Sequence, residues 1–120
     1  MRDLSNRARG TWGEQRAARY FIAQGFQVVH VGWRSPDPGV RGDIDVVAVL
    51  GNLVVFCEVK ARRDAASFGG AVAAVTVGKQ ERVRRLAESW LRHHGDDTTE
   101  VRFDVIAIDG LHLEHYDSAF

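Results

Sequence analysis

No run of apolar residues in this sequence approaches the roughly 18 that would suggest a membrane-spanning helix. The first ten residues, MRDLSNRARG, are charged and lack the apolar segment of a secretory signal. Cys57 is the only cysteine, which excludes an internal disulfide and a cysteine-rich zinc site. Internal repeats, low-complexity tracts and linkers long enough to divide domains are also missing. With 120 residues there is room for one domain and little more. The expectation is a single domain over residues 1–120, flexible over 1–10, working in the cytoplasm and away from membranes. Nor is there an excess of either charge, since sixteen basic side chains face sixteen acidic ones.

The charge that is present is unevenly placed. Residues 1–34 carry six Arg against Asp3 and Glu14, whereas residues 95–120 carry Arg102 against seven acids. A basic N-terminal two-thirds suits contact with a polyanion, although solvated surface charge explains the same composition. Periodicity predicts a helix over 11–24, with Thr11 and Glu14 spaced as a capping box, Gly25 as its stop, and Trp12, Ala17, Tyr20 and Phe21 as its buried stripe. A strand over 26–31 and a Pro- and Gly-containing loop follow. Two strands over 43–50 and 53–61 are joined by Gly51-Asn52, whose leading glycine suits a type II′ hairpin turn. A second helix over 76–94 turns Val83, Leu86, Ala87, Trp90 and Leu91 inward. Strands over 101–108 and 111–116 complete an αβββαβ(β) order, a mixed α/β fold.

Between the two helices, the stretch GDIDVVAVLGNLVVFCEVK places charges inside apolar strands. A two-residue turn at 51–52 sets Asp45 across from Glu58 and Asp43 across from Lys60. With side chains alternating at period two, all four emerge on one face, opposite Ile44, Val46, Ala48, Val55, Cys57 and Val59. Opposed carboxylates repel, and a divalent cation would relieve the conflict. Mg²⁺ characteristically takes one or two protein carboxylates and leaves positions for water and phosphate oxygens. A neighbouring lysine can orient water or stabilise charge growing on a phosphate. An ion-pair cluster at the open end of a hairpin is the competing explanation, and spacing alone leaves both standing.

Asp45 followed by Glu58-Val59-Lys60 resembles the Asp…Asp/Glu-x-Lys motif of the restriction-endonuclease-like superfamily. More closely, GEQRAARYFIAQGFQVV, RGDIDVVAV, VVFCEVKAR, FGGAVAAVTVGKQERVRRLAESWL, RFDVIAI and the terminal AF together resemble the YraN-like family of small bacterial predicted endonucleases, from about Trp12 onward. The resemblance implies a restriction-endonuclease-like αβββαβ fold, a mixed central sheet flanked by helices. It also implies a Mg²⁺-dependent site, with Mn²⁺ as substitute, and kinship with archaeal-type Holliday-junction resolvases. Asp43 stands where the family usually has Glu, and Ile44 stands where the superfamily often has Pro before the motif aspartate. Neither departure removes an implied ligand.

The expected activity is metal-dependent hydrolysis of phosphodiester bonds in DNA, with branched or flapped DNA as candidate substrates. Asp45, Glu58 and Lys60 are the catalytic candidates. Asp45, Glu58, the Val59 carbonyl and Glu14 are the candidate metal ligands, with Asp43 auxiliary. Glu14 has the capping box as its competing explanation. Arg34, Arg41, Arg62, Lys79, Gln80 and Arg82 are candidate contacts to a nucleic-acid backbone. A homodimer would fit an enzyme related to resolvases that cut two strands, and no organic cofactor is expected. The alternative is an accessory module that binds nucleic acid, retains the nuclease fold and does not cleave.

Overall fold

The computed structural model describes residues 6–61, 72 and 74–120, with side chains from Thr11 onward in the first helix. The elements run α1 (Asn6–Ala23), β1 (Gln27–Trp33), β2 (Ile44–Leu50), β3 (Leu53–Ala61), α2 (Val77–His94), β4 (Glu100–Asp109) and β5 (His112–Tyr116). The αβββαβ order with an added final strand is therefore observed. The five strands form one sheet in sequence order. The β3–β4 pair is parallel and the other three pairs are antiparallel. The parallel step falls where α2 supplies the crossover, as a parallel connection requires.

Helix α1 begins at Asn6, five residues before the expected cap. Residues 6–10, expected to be flexible, have helical backbone, because Arg and Ala propagate a helix well and no proline stops it. Thr11 therefore lies inside the helix, and the Thr11–Glu14 capping box does not form at a helix start. The other end closes as expected. Gly25 has φ +95°, its N–H bonds the Ile22 carbonyl, and the Phe26 N–H bonds the Phe21 carbonyl. This is a Schellman motif, sealed by the Phe21 and Phe26 rings at 5.3 Å.

Both faces of the sheet are covered. Ala17 and Phe21 of α1 pack on Val46, Ala48, Val55 and Cys57, joined by Ile106 and Ile108 of β4. On the opposite face, Val83, Leu86, Ala87 and Trp90 of α2 pack on Val47, Val54 and Phe56. Trp12 is a correction to the expected stripe. It is 48% exposed, with the Arg16 guanidinium over its ring, because Gly13 instead supplies the close approach. A Cβ at Gly13 would stand 3.5 Å from both Val59 and Ala61. Trp33 is buried in the α2-side core at the end of β1, which extends two residues beyond its expected limit.

The β2–β3 hairpin has the expected register from Leu50↔Leu53 to Val46↔Cys57. Gly51 alone in the turn has positive φ, +58°, as type II′ demands. The pairing then ends, and neither Asp45↔Glu58 nor Asp43↔Lys60 is a ladder pair. Asp43 precedes β2, and the Val59 N–H donates to Asp45 Oδ2 at 2.8 Å. A buried carboxylate needs a donor, and it takes one from the neighbouring strand. Alternation breaks with it. Ile44, expected beside Val46, packs with Val47, Phe56 and Leu86 on the α2 side.

Candidate active site

The break in the hairpin opens a cleft of about 270 Å³ at the end of β3, between α1 and the first turns of α2. Glu14 of α1, Asp43, Asp45 and Glu58 line it together with Lys79 and Arg82 of α2. Asp45 is 9% exposed and Glu58 4%. Gly42 has φ +92°, and a Cβ there would stand 3.0 Å from the Arg82 side chain. Glycine thus lets the loop before β2 pass close beneath that arginine.

The electrostatics of the carboxylates are mutual. Burial, followed by the adjacent Glu58, pushes the Asp45 carboxyl up to about 8 against the opposing pull of the Val59 N–H. Glu14 is also raised, by burial and then by Asp43, although its hydrogen bond with Asp45 works in the other direction. Its Oε1 stands 3.5 Å from where a Cβ of Gly32 would lie. Two buried carboxylates in contact, one of them held toward its protonated form, are a donor set with an unmet need for positive charge. A hard divalent cation fits that need. Among the described residues no three His, Cys, Asp or Glu side chains form a metal-holding group. The side chains that would hold such an ion are Asp45 and Glu58, the acids in contact at the cleft. Glu14 stands beside this pair as a partner of Asp45.

The two lysines stand in different surroundings. Lys79 Nζ lies 3.1 Å from Glu58 Oε1. Burial disfavours its ammonium, but Glu58 outweighs burial and the pKa is raised. Lys60 is lowered, by burial and then by the Lys79 ammonium beside it. The Lys79–Glu58 pair was not legible as a pair, because the two residues lie on elements 21 positions apart in the sequence. A signal did exist: against fourteen arginines the chain has two lysines, of which Lys79 lines this cleft and Lys60 stands beside Lys79.

The remaining candidates are spread out. Arg82 lines the cleft, whereas Arg34 and Arg41 are exposed on the loop between β1 and β2 and do not line it. The Gln80 amide donates to the Val75 carbonyl at 3.0 Å, which bonds it to the loop end just before α2. Arg62 lies outside the described residues. The β1–β2 loop is pinned to α2 by Asp37, which accepts from Ser89, from Arg92 at 2.9 Å and from His93 at 2.8 Å. These bonds hold its carboxyl well below the usual range.

Residues 13–108 match a family described as Uncharacterised protein family UPF0102, a span that includes every cleft residue named above. A UPF0102 protein of Rhodococcus jostii (strain RHA1) is 42% identical over 120 residues, covering 96% of this chain and 98% of that protein. One from Beutenbergia cavernae is 46% identical over 99 residues, 82% of this chain and 80% of its own length. Another, from Ralstonia nicotianae, is 44% identical over 117 residues, covering 94% and 86%.

Proposed function

This chain belongs to the UPF0102 family, the YraN-like family that its motifs resemble, and from that premise we propose that it is a cytoplasmic, Mg²⁺-dependent endonuclease of the restriction-endonuclease-like superfamily, acting on DNA. The observation that carries the reading is the pair of buried carboxylates, Asp45 and Glu58, in contact at the foot of an open cleft with Asp45 pushed up to about 8. A plain structural ion pair would not set two acids against each other.

Asp45 and Glu58 would hold the divalent cation, which supplies charge neutralisation at a phosphodiester and a lowered pKa for attacking water. The Val59 N–H fixes one Asp45 oxygen, Oδ2, at 2.8 Å. Glu14 buttresses Asp45. Lys60, beside Lys79 and Glu58, is suited to orient the water or to stabilise charge growing on the phosphate. Arg82 at the cleft wall and the exposed Arg34 and Arg41 offer contacts to the phosphate backbone. Branched or flapped DNA, of the kind resolved by archaeal-type Holliday-junction enzymes, is the substrate class this reading favours, and two cuts would call for a homodimer.

The test is cleavage of linear, single-stranded, flapped and four-way-junction DNA, and of RNA, with Mg²⁺ or Mn²⁺. Asp45→Ala and Glu58→Ala are expected to lower the rate by at least about 10²-fold, the scale of a lost electrostatic group at a reacting phosphate. Binding without cleavage of any substrate, unaltered in both variants, would instead establish the accessory module.

A further inference from the structure

Glu58 is nearly inaccessible, yet one cation already reaches it. Lys79 Nζ stands 3.1 Å from Glu58 Oε1, and the lysine side chain keeps 31% of its surface exposed. Lys79 is held on the first turn of α2, where its N–H donates to the Thr76 side chain at 3.2 Å. A capped helix start is a firm mount for a charge. The same ammonium neighbours Lys60, and it faces a cleft also lined by the acidic side chains of Glu14, Asp43 and Asp45. A buried carboxylate deprived of its partner is strongly unfavourable, so Glu58 needs a positive neighbour whether or not a metal is present.

We propose that Lys79 is a resident counter-cation: it holds Glu58 in the cation-free protein, competes with a divalent cation for that carboxylate, and once displaced turns to a phosphate oxygen of the substrate. The inference rests on the nuclease reading and assigns to Lys79 a role beyond backbone contact. Both cations draw on the same carboxylate, and the ammonium already sits 3.1 Å from its Oε1. With about a third of its side chain exposed at the cleft, the displaced lysine has a route to an incoming anion without any movement of α2. Arg82, one helical turn on, lines the same cleft, and no bond joins it to Glu58. It therefore separates direct competition from the general field of a positive wall.

Calorimetric titration of Mn²⁺ into the full chain, without nucleic acid, compares the wild type with Lys79→Met, Lys79→Arg, Arg82→Gln and Asp45→Asn. Lys79→Gln serves as a second neutral variant should the methionine form not fold. Removing the competing charge is expected to tighten Mn²⁺ binding on the order of tenfold. Lys79→Arg should stay close to wild type, and Arg82→Gln should gain much less. In EDTA, Lys79→Met should melt below wild type, and saturating Mn²⁺ should raise its melting temperature by more than it raises that of wild type. Equal or weaker binding in Lys79→Met overturns the proposal, as does an equal gain in Arg82→Gln. If binding is equal in wild type and Lys79→Met but lost in Asp45→Asn, the nuclease site stands and the competition falls. Absence of Mn²⁺ binding in both wild type and Lys79→Met overturns the two together.

Discussion

Asp45 answers two demands that conflict in the cation-free protein. It is buried against Glu58, which penalises its charge, and it accepts the Val59 N–H, which rewards charge. Asparagine keeps an oxygen acceptor for that N–H and removes the charge. Asp45→Asn should therefore abolish cleavage while stabilising the cation-free fold at neutral pH by about 1–2 kcal/mol. Denaturant melts in EDTA measure this, and a loss of stability would show that the carboxylate is better accommodated than its burial implies. Asp45, Glu58 and Lys60 were legible as a group because a two-residue turn dictates which residues face each other. The contacts themselves were not. Ladder register assumes that backbone groups pair with backbone groups, and here a side chain takes the place of one of them. For Lys79 no local rule applies, since its partner lies on another element.

At the scale of elements, α2 supplies the basic residues of the cleft. Thr76 caps its first turn, Lys79 and Arg82 point to the cleft, and Val83 and Leu86 bury the face that anchors it to the sheet. Thr76→Ala should cost about 1 kcal/mol of stability. Because Lys79 bonds that cap, the substitution should also lower cleavage more than a stability loss of that size accounts for. Stability by denaturant melt and rate at saturating cation, measured on the same preparation, check the two effects; an unchanged rate would uncouple cap from site. Helix α2 was readable to within a residue from its apolar period, and the Thr76 cap and Gly95 close it at the same limits. A Cβ on Gly95 would stand 2.9 Å from the Leu91 carbonyl. Helix α1 was misread at its start because Thr11 and Glu14 have the spacing of a cap without its position. A capping box is a local pattern, and helix propagation through residues 6–10 overrode it. Glu14 is thereby released from a capping role and left beside Asp45.

Across the whole molecule, Asp104 ties the last strands to the first helix. It is fully buried and accepts from Arg102 at 2.9 and 2.8 Å, from His115 at 2.6 Å and from the Ser118 N–H at 3.1 Å. His115 in turn meets the Tyr20 hydroxyl of α1 at 3.0 Å. Close by, Phe120 stacks on Phe103 at 5.3 Å beneath Arg84 of α2. Burial alone would raise the Asp104 carboxyl, but the bonds from His115 and Arg102 outweigh it and hold it below its usual range. A folded-state pKa below the unfolded one means that this stability is present above about pH 4 and is lost as pH falls through the folded value. Asp104→Asn should cost about 3 kcal/mol at neutral pH, since it removes a fully buried carboxylate that Arg102, His115 and the Ser118 N–H all bond. It should also flatten the acid limb of the stability profile. Denaturant melts from pH 7 downward test both, and an unchanged acid limb would mean that other carboxylates set it. No helix among the described residues is long and apolar enough to cross a membrane.

What the sequence by itself determined is what nearest neighbours decide: the element order, the type II′ turn, the Gly25 stop, the apolar face of α2 and that of α1 apart from Trp12, and the nearness of Asp45, Glu58 and Lys60 at one end of a hairpin. Each follows from rules that act over a few residues or across a single tight turn. Only the tertiary structure decided which charges meet. Glu58 takes Lys79 from α2, Asp45 takes Glu14 from α1 and the Val59 N–H, and Asp104 takes His115 from β5. The physical reason is that a buried charge recruits the nearest group able to neutralise or bond it, and which group is nearest depends on how helices dock on the sheet. Sequence spacing identifies the residues that need partners, and packing supplies those partners.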